Sequence, residues 1–259
     1  NNYAVTFSAL EKFDNIADEV KVVYSYSEEM ENQDNITTTK KLTEPFTMLI
    51  MGVDSSLDGL NANQAFNGDT LILVTFNPKT LTATMLSIPR DLYVPIACRN
   101  NEYDKINSSA AYGSTCVIDT VENLTEVEID YYLKMNFQGV VDLVDALGGV
   151  DVNVAAPYYN TYNGQVCEQD SKRRKGSHLV CMNPGYQTLN GEQALAYARC
   201  RKLYLLSDID RNAHQQDVIE AMIQKVKKID SIDKIKSILN AVSKNMDTNM
   251  TTEQILSFY

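Results

Sequence analysis

The run Phe46–Val53 constrains this chain more than any other segment. It is continuously apolar with aromatic or β-branched residues at its ends, the pattern of a strand covered on both faces. Such a strand needs helices above and below it, which commits the chain to an α/β architecture. The following segments agree. Thr70–Asn77 and Leu81–Ile88 read as strands, and Asn77-Pro78-Lys79-Thr80 between them is a turn with proline at its second position, so the pair forms an antiparallel hairpin. Ser108–Leu124 reads as a helix and Tyr132–Asn136 as a strand. Phe137–Leu147 is a helix with Val140, Val141, Val144 and Leu147 on one face; Gly148-Gly149 stops it before a strand over Val150–Ala155. Asn190 and Gln193 make a capping-box start for a helix over Gly191–Arg199. A helix over Gln215–Lys228 puts Val218, Ile219, Met222, Ile223 and Val226 on one stripe. Further helices open after Ser231 and at Thr251. Alternating strands and helices predict a mixed sheet between helical layers.

Residues 1–45 stand apart, being polar, acidic over Ser27–Asn35 and closed by Pro45. Phe7–Ile16 reads there as a short helix and Val20–Tyr26 as a strand. The expected organisation is a small accessory unit over 1–45 and a main domain over 46–259. With 259 residues, 44% of them apolar, the chain can bury one sizeable core. No apolar run approaches the ~18 residues that a membrane span needs. The chain opens at Asn1 rather than Met, as removal of an upstream segment would leave it.

The net charge of −11 disfavours a general nucleic-acid binder. The placement of the bases says more than their sum. Lysines run from Lys12 to Lys244, whereas all seven arginines fall between Arg90 and Arg211. Arginine grips planar oxyanions through two parallel hydrogen bonds, so this confinement predicts one local anion site. The five cysteines include no C-x-x-C pair, and His178 and His214 are far apart, which argues against zinc. Cys98 with Cys116, and Cys167 with Cys181, would each close a short loop that a disulfide stabilises, implying an oxidising compartment. Cys200 then reads as a buried filler beneath Arg199 and Arg201.

The strand ends carry the acids. The first strand delivers Asp54, Asn67-Gly68-Asp69 precedes the second, and Pro89-Arg90-Asp91 follows the third. The hairpin brings Asp69 and Arg90 to one edge, and Asp54 joins them if the first strand points the same way. Two carboxylates and an arginine on one edge suit a magnesium ion bridging to phosphate oxygens. Arg199 and Arg201 close one helix, and Arg211 precedes Gln215 by a helical turn. Together they could cradle a diphosphate and neutralise the leaving group. A surface salt-bridged to Asp208 and Asp210 would use the same residues.

Several strings together resemble the LytR–CpsA–Psr family. They are Gly52-Val53-Asp54, Gly68-Asp69-Thr70, Ser87-Ile88-Pro89-Arg90-Asp91, Lys105-Ile106-Asn107, Leu147-Gly148-Gly149-Val150, Leu189–Arg201, and Asp210-Arg211 with Gln215-Gln216. They run in the family's order and cover Phe46 to about Ile219. The resemblance implies an α-β-α sandwich with a central mixed sheet and a deep apolar pocket for a polyprenyl chain. It further implies a magnesium-dependent phosphotransferase that moves a teichoic-acid-like or capsular glycopolymer from a polyprenyl-diphosphate carrier to peptidoglycan. Such enzymes work on the extracellular face of the bacterial membrane, held by an N-terminal helix that this chain does not contain. Carried over position by position, Asp54 and Asp69 are the metal ligands and, with Arg90, the catalytic set. Arg90, Lys105, Arg199, Arg201, Arg211 and Gln215 form the diphosphate grip. The chain departs from the pattern at Asn67 and His214, where the family often has arginine. It also carries an insertion from Tyr158 to Gln187 with Lys172-Arg173-Arg174-Lys175, read as a solvated hairpin tip or, alternatively, as a contact with an anionic glycan or lipid headgroups. The rival readings are a hydrolase using water as acceptor and a non-catalytic module that binds or senses the lipid carrier.

Overall fold

The computed structural model describes residues 44–53, 66, 68–80, 82–171 and 178–256. The helix expected over Phe7–Ile16, the strand over Val20–Tyr26, Asp54, Asn67 and the Lys172–Lys175 tip lie outside the described residues. The described elements run β1 (Phe46–Val53), β2 (Gly68–Asn77), β3 (Thr82–Ile88), β4 (Tyr93–Ile96), β5 (Glu102–Lys105), α1 (Ser114–Thr125), β6 (Tyr131–Asn136), α2 (Phe137–Ala146) and β7 (Val150–Val154). There follow β8 (Val166–Gln169), β9 (Leu179–Met182), β10 (Gly185–Leu189), α3 (Gly191–Arg199), α4 (Asp208–Val226), α5 (Ile232–Val242), β11 (Met246–Thr248) and α6 (Thr252–Leu256). A five-stranded sheet has the order β11-β6-β1-β2-β3, and β10-β7, β4-β5 and β8-β9 form two-stranded ribbons. The α/β class expected from the sequence is the one observed. Among the described residues no helix is long and apolar enough to cross a membrane.

The described chain divides into two compact units. One takes the residues up to Met51, those from Phe66 to Leu133 and those from Thr248; the other takes Gly52, Val53 and Lys134–Asp247. In the first unit β1 behaves as its composition demands. Leu49 and Met51 are fully buried and no residue of the strand is exposed. They join Leu71, Leu73, Ile88, Val117 and Val121 in one core. The β2–β3 hairpin pairs Leu71 with Ile88 through to Asn77 with Thr82. Asn77 Oδ1 closes its turn by accepting from the backbone N–H of Lys79 (3.0 Å) and Thr80 (3.3 Å). The helix expected over Ser108–Leu124 is broken in two. A 3-10 helix covers Ile106–Tyr112, and Gly113 at φ 95° turns the chain into α1. That dihedral lies where side-chain-bearing residues rarely go. Cys98 is bonded to Cys116 at the start of α1.

In the second unit the side chain of Asn136 caps α2 by accepting from Gly139 N at 2.8 Å. Asn190 and Gln193 form the reciprocal capping box of α3, at 3.0 and 3.2 Å. α3 packs between α2 and α4. Gly191 permits this: its N–H donates to Asp145 Oδ1 at 2.7 Å, and a Cβ there would overlap the Val141 backbone. The 158–187 insertion forms the β8–β9 hairpin, with Cys167 opposite Cys181 and bonded to it. α4 begins at Asp208, about two turns before the expected start, and its inward side is Arg211, His214, Val218 and Ala221. The apolar stripe read from the sequence is therefore rotated: Val226 is 51% exposed. Periodicity of apolar residues could not count an arginine and a histidine as inward-facing.

Candidate functional site

The first group of site residues lies at the open end of the β2–β3 hairpin. The hairpin pairing ends at Leu71 with Ile88, leaving Asp69 two residues before it in β2 and Arg90 two residues after it in the turn that follows β3. The backbone of Asp69 lies in β2; its side chain, like all of Asp54, lies outside the description. The turn that carries Arg90 is pinned to the 3-10 helix, with Asn107 N donating to Arg90 O at 3.1 Å and Ile106 N to Leu92 O at 2.7 Å. Asp91 then binds two cations at once. Lys105 Nζ is 2.7 Å from its Oδ1 and Arg90 Nε is 3.5 Å from its Oδ2. The Lys105 hydrogen bond chiefly, helped by the charges of Lys105 and Arg90, holds the Asp91 carboxyl below its usual range. Sequence reasoning brought Arg90 and Lys105 together only through the resemblance; the chain links them through Asp91.

The second group stands where α3 ends and α4 begins. Arg201 Nη1 and Arg211 Nη1 each lie 3.3 Å from the same oxygen, Asp208 Oδ1. Asp208 sits in the first turn of α4, where the helix dipole favours a carboxylate. Asp210 does not join it; its Oδ2 accepts from Leu206 N at 2.8 Å. Arg199 is anchored differently, lying 4.4 Å above the Phe137 ring and donating from Nη1 to the carbonyls of Gln169 and Asp170 at 3.3 Å each. Gln215 follows Arg211 by one turn of α4 and is half-buried.

Under these arginines lies an aromatic floor that sequence reasoning missed. The His214 ring stacks on Tyr197 at 4.3 Å and meets Tyr204 edge-on at 4.4 Å. Both tyrosine hydroxyls hold Ala155: Tyr204 donates to its carbonyl at 2.8 Å, and its N–H donates to Tyr197 Oη at 3.2 Å. Burial pushes the Tyr197 phenol up to about 12 and the Cys200 thiol up to about 11, so neither ionises near neutrality. Burial lowers the His214 imidazole in the same way, which favours its neutral form. Cys200 is buried and free of any disulfide, as expected. The alternation of buried Tyr197, Cys200, Tyr204 and His214 with Arg199, Arg201 and Arg211 was the available signal.

The two groups belong to different units. Each sets two cations on one carboxylate, through both oxygens of Asp91 in the first group and through one oxygen of Asp208 in the second. Among the described residues no three His, Cys, Asp or Glu side chains gather into a metal cluster.

Comparison with known proteins places this arrangement. The LytR_cpsA_psr family model matches residues 11–259. The polyisoprenyl-teichoic acid–peptidoglycan teichoic acid transferase TagU of Bacillus subtilis is 39% identical over 213 residues, covering 82% of this chain and 62% of TagU. The chain thus spans about three-fifths of that relative's length. The crystal structure of TagV from B. subtilis matches with a TM-score of 0.68 at 32% identity, covering 83% of this chain and 78% of TagV. A structure of TagT bound to LIIa-WTA matches with a TM-score of 0.64 at 32% identity, covering 86% of this chain and 76% of that one. The strings that carry Arg90, Lys105 and the α3–α4 arginines lie within the matched residues, and the chain belongs to the LytR–CpsA–Psr family.

Proposed function

We propose that this chain is the catalytic domain of a phosphotransferase that attaches a teichoic-acid-like or capsular glycopolymer from a polyprenyl-diphosphate carrier to peptidoglycan. The observation that carries the proposal is the convergence of Arg201 and Arg211 on one carboxylate oxygen, 3.3 Å from each. Two guanidiniums aimed at a single oxygen suit a phosphate, and the family relatives named as teichoic acid transferases supply the class of donor. In the reaction the acceptor hydroxyl oxygen attacks the phosphorus that bears the glycan. A new phosphorus–oxygen bond forms, the bridging bond of the diphosphate breaks, and polyprenyl monophosphate leaves. The hydroxyl proton passes to Asp54 or Asp69. Arg90, Lys105, Arg199, Arg201 and Arg211 offset charge on the diphosphate and the departing phosphate, which preorganised donors do without reorganising during the reaction. Gln215 offers a neutral amide donor one turn from Arg211.

Magnesium is the cation we propose on chemical grounds: it binds through one or two hard carboxylates and takes its other ligands from water and substrate phosphates. Asp54 and Asp69 would hold it, and it would supply positive charge to the phosphate oxygens. The two disulfides support a working place in an oxidising compartment, in keeping with the extracellular face of a bacterial membrane and an anchor outside this chain.

The test is turnover of a polyprenyl-diphosphate glycan in the presence of peptidoglycan, with and without magnesium. Glycan phosphate bonded to peptidoglycan together with released polyprenyl phosphate is the expected outcome. Free glycan phosphate alone would make the chain a hydrolase. Tight donor binding without any turnover would make it a carrier-binding module.

A further inference from the structure

The β4–β5 hairpin carries a feature that the phosphate chemistry does not use. Its register pairs Tyr93 with Lys105 and Pro95 with Tyr103, so the two tyrosines are diagonal neighbours on one face. Their ring centroids are 5.8 Å apart and their planes 35° from parallel. Both are open to solvent, Tyr93 at 66% and Tyr103 at 63%, while Val94 and Ile96 point into the core. Two large aromatic side chains held side by side on so short a ribbon form a shelf with an apolar top and hydroxyl tips. The shelf is continuous with the first group of site residues. Lys105, opposite Tyr93, is the lysine that grips Asp91 beside Arg90.

We propose that Tyr93 and Tyr103 form the subsite for sugar rings of the acceptor glycan strand, a reading that rests on the transfer activity proposed above. Aromatic faces with a polar edge suit a pyranose, which offers C–H bonds on one face and hydroxyls at its rim. The ribbon also sets polar groups beside the rings. From Asp91 to Lys105 the chain has three acids, Asp91, Glu102 and Asp104, against the bases Arg99 and Lys105. Arg99 holds Glu102 and Asp104 at 2.8 Å each, fixing carboxylates along the ribbon. Carboxylates so placed can accept from the hydroxyls of a glycan strand. An open ribbon also suits a long strand that must pass the site and continue on both sides.

The test is co-sedimentation of the whole chain with purified peptidoglycan freed of glycopolymer, alongside glycan strands stripped of their stem peptides. The variant Tyr93→Ala/Tyr103→Ala should weaken binding to both by about tenfold or more, as loss of two aromatic contacts does. Tyr93→Phe/Tyr103→Phe keeps the ring faces and should bind far better than the alanine pair. Tyr186→Ala removes an exposed tyrosine of the other unit and should bind as the unaltered chain does. Equal sedimentation of the alanine pair and the unaltered chain overturns the subsite, as does failure of the unaltered chain to bind or binding that vanishes with the stem peptides. Transfer is assayed separately. A chain that transfers while the alanine pair binds normally loses the subsite alone; a chain that cannot transfer but loses binding in the alanine pair keeps the subsite and loses the transfer reading.

Discussion

Asp208→Asn probes the α3–α4 grip most directly. Asp208 Oδ1 stands 3.3 Å from Nη1 of both Arg201 and Arg211, whose side chains are 39% and 10% exposed, and is itself on a side chain 56% exposed. A diphosphate oxygen entering between those guanidiniums must displace it. Exposed ion pairs contribute roughly 0.2–1 kcal/mol each, so two long contacts sharing one oxygen hold about 1 kcal/mol against the incoming phosphate. Asparagine keeps the shape and removes the charge. Donor affinity should therefore rise about fivefold, the equivalent of about 1 kcal/mol. The substitution also removes a carboxylate from the first turn of α4, costing roughly 0.3–1 kcal/mol more in stability. Thermal unfolding should accordingly come about 2–6 °C lower. The assay is titration of a polyprenyl-diphosphate analogue into both proteins by calorimetry, with melting followed in parallel. Unchanged or weaker donor binding in Asp208→Asn would refute the reasoning, because Asp208 would then be orienting the two arginines rather than occupying the phosphate's place.

The remaining expectations concern charge, protons and metal. Arg201→Ala should lower kcat/KM by on the order of 10²-fold, as loss of a preorganised donor does, with little change in melting; full activity would remove Arg201 from the grip. Arg199→Ala should lower activity too but also cost about 1–2 kcal/mol of stability, since it loses the Phe137 contact and two carbonyl partners. Burial holds the His214 pKa below 6.5 in the fold, so the unfolded chain takes up that proton first and stability falls as pH drops below about 6.5. His214→Phe should flatten that part of the denaturation-midpoint profile between pH 5 and 8, and an equally steep loss in the variant would assign it to other groups. Magnesium should bind more tightly when a diphosphate lipid is present, and Asp69→Asn should abolish that coupling; calorimetry showing equal binding with and without lipid would exclude the bridge.

Much of the architecture was readable because it follows from local rules. β1, the β2–β3 hairpin, the α2 stop at Gly148-Gly149 and the α3 capping box were each announced by residues within a few positions of one another. The disulfide pairs followed from loop lengths. What escaped was set by distant partners. β4 and β5 are four residues each, and Glu102–Lys105 contains three charged side chains, so no alternation could reveal them. The break at Gly113 depends on a positive φ that a helical pattern hides. In α4 the buried face includes His214 because Tyr197 and Tyr204, from the preceding helix and loop, cover it, and Arg211 lies one turn earlier on the same face.

The same distinction governs the site. Arginine confinement predicted one local anion site, whereas the site arginines fall into two groups, Arg90 in one unit and Arg199, Arg201 and Arg211 in the other. Whether the α3–α4 arginines form a ligand grip or a salt-bridged surface stayed open in the sequence, because both readings use the same residues. The structure shows the ion pairs to Asp208, and the grip is our proposal. Arg211 is 10% exposed, and a guanidinium so covered requires an opposing charge wherever it sits. A protein that keeps such a cation ready for phosphate must fold with a carboxylate of its own beside it, held loosely enough to yield. Asp208 meets that requirement, being 56% exposed with both contacts long at 3.3 Å. Asp91 plays the part differently, binding Lys105 at 2.7 Å and Arg90 at 3.5 Å. The two contacts differ by 0.8 Å, so Asp91 holds Lys105 more tightly than it holds Arg90.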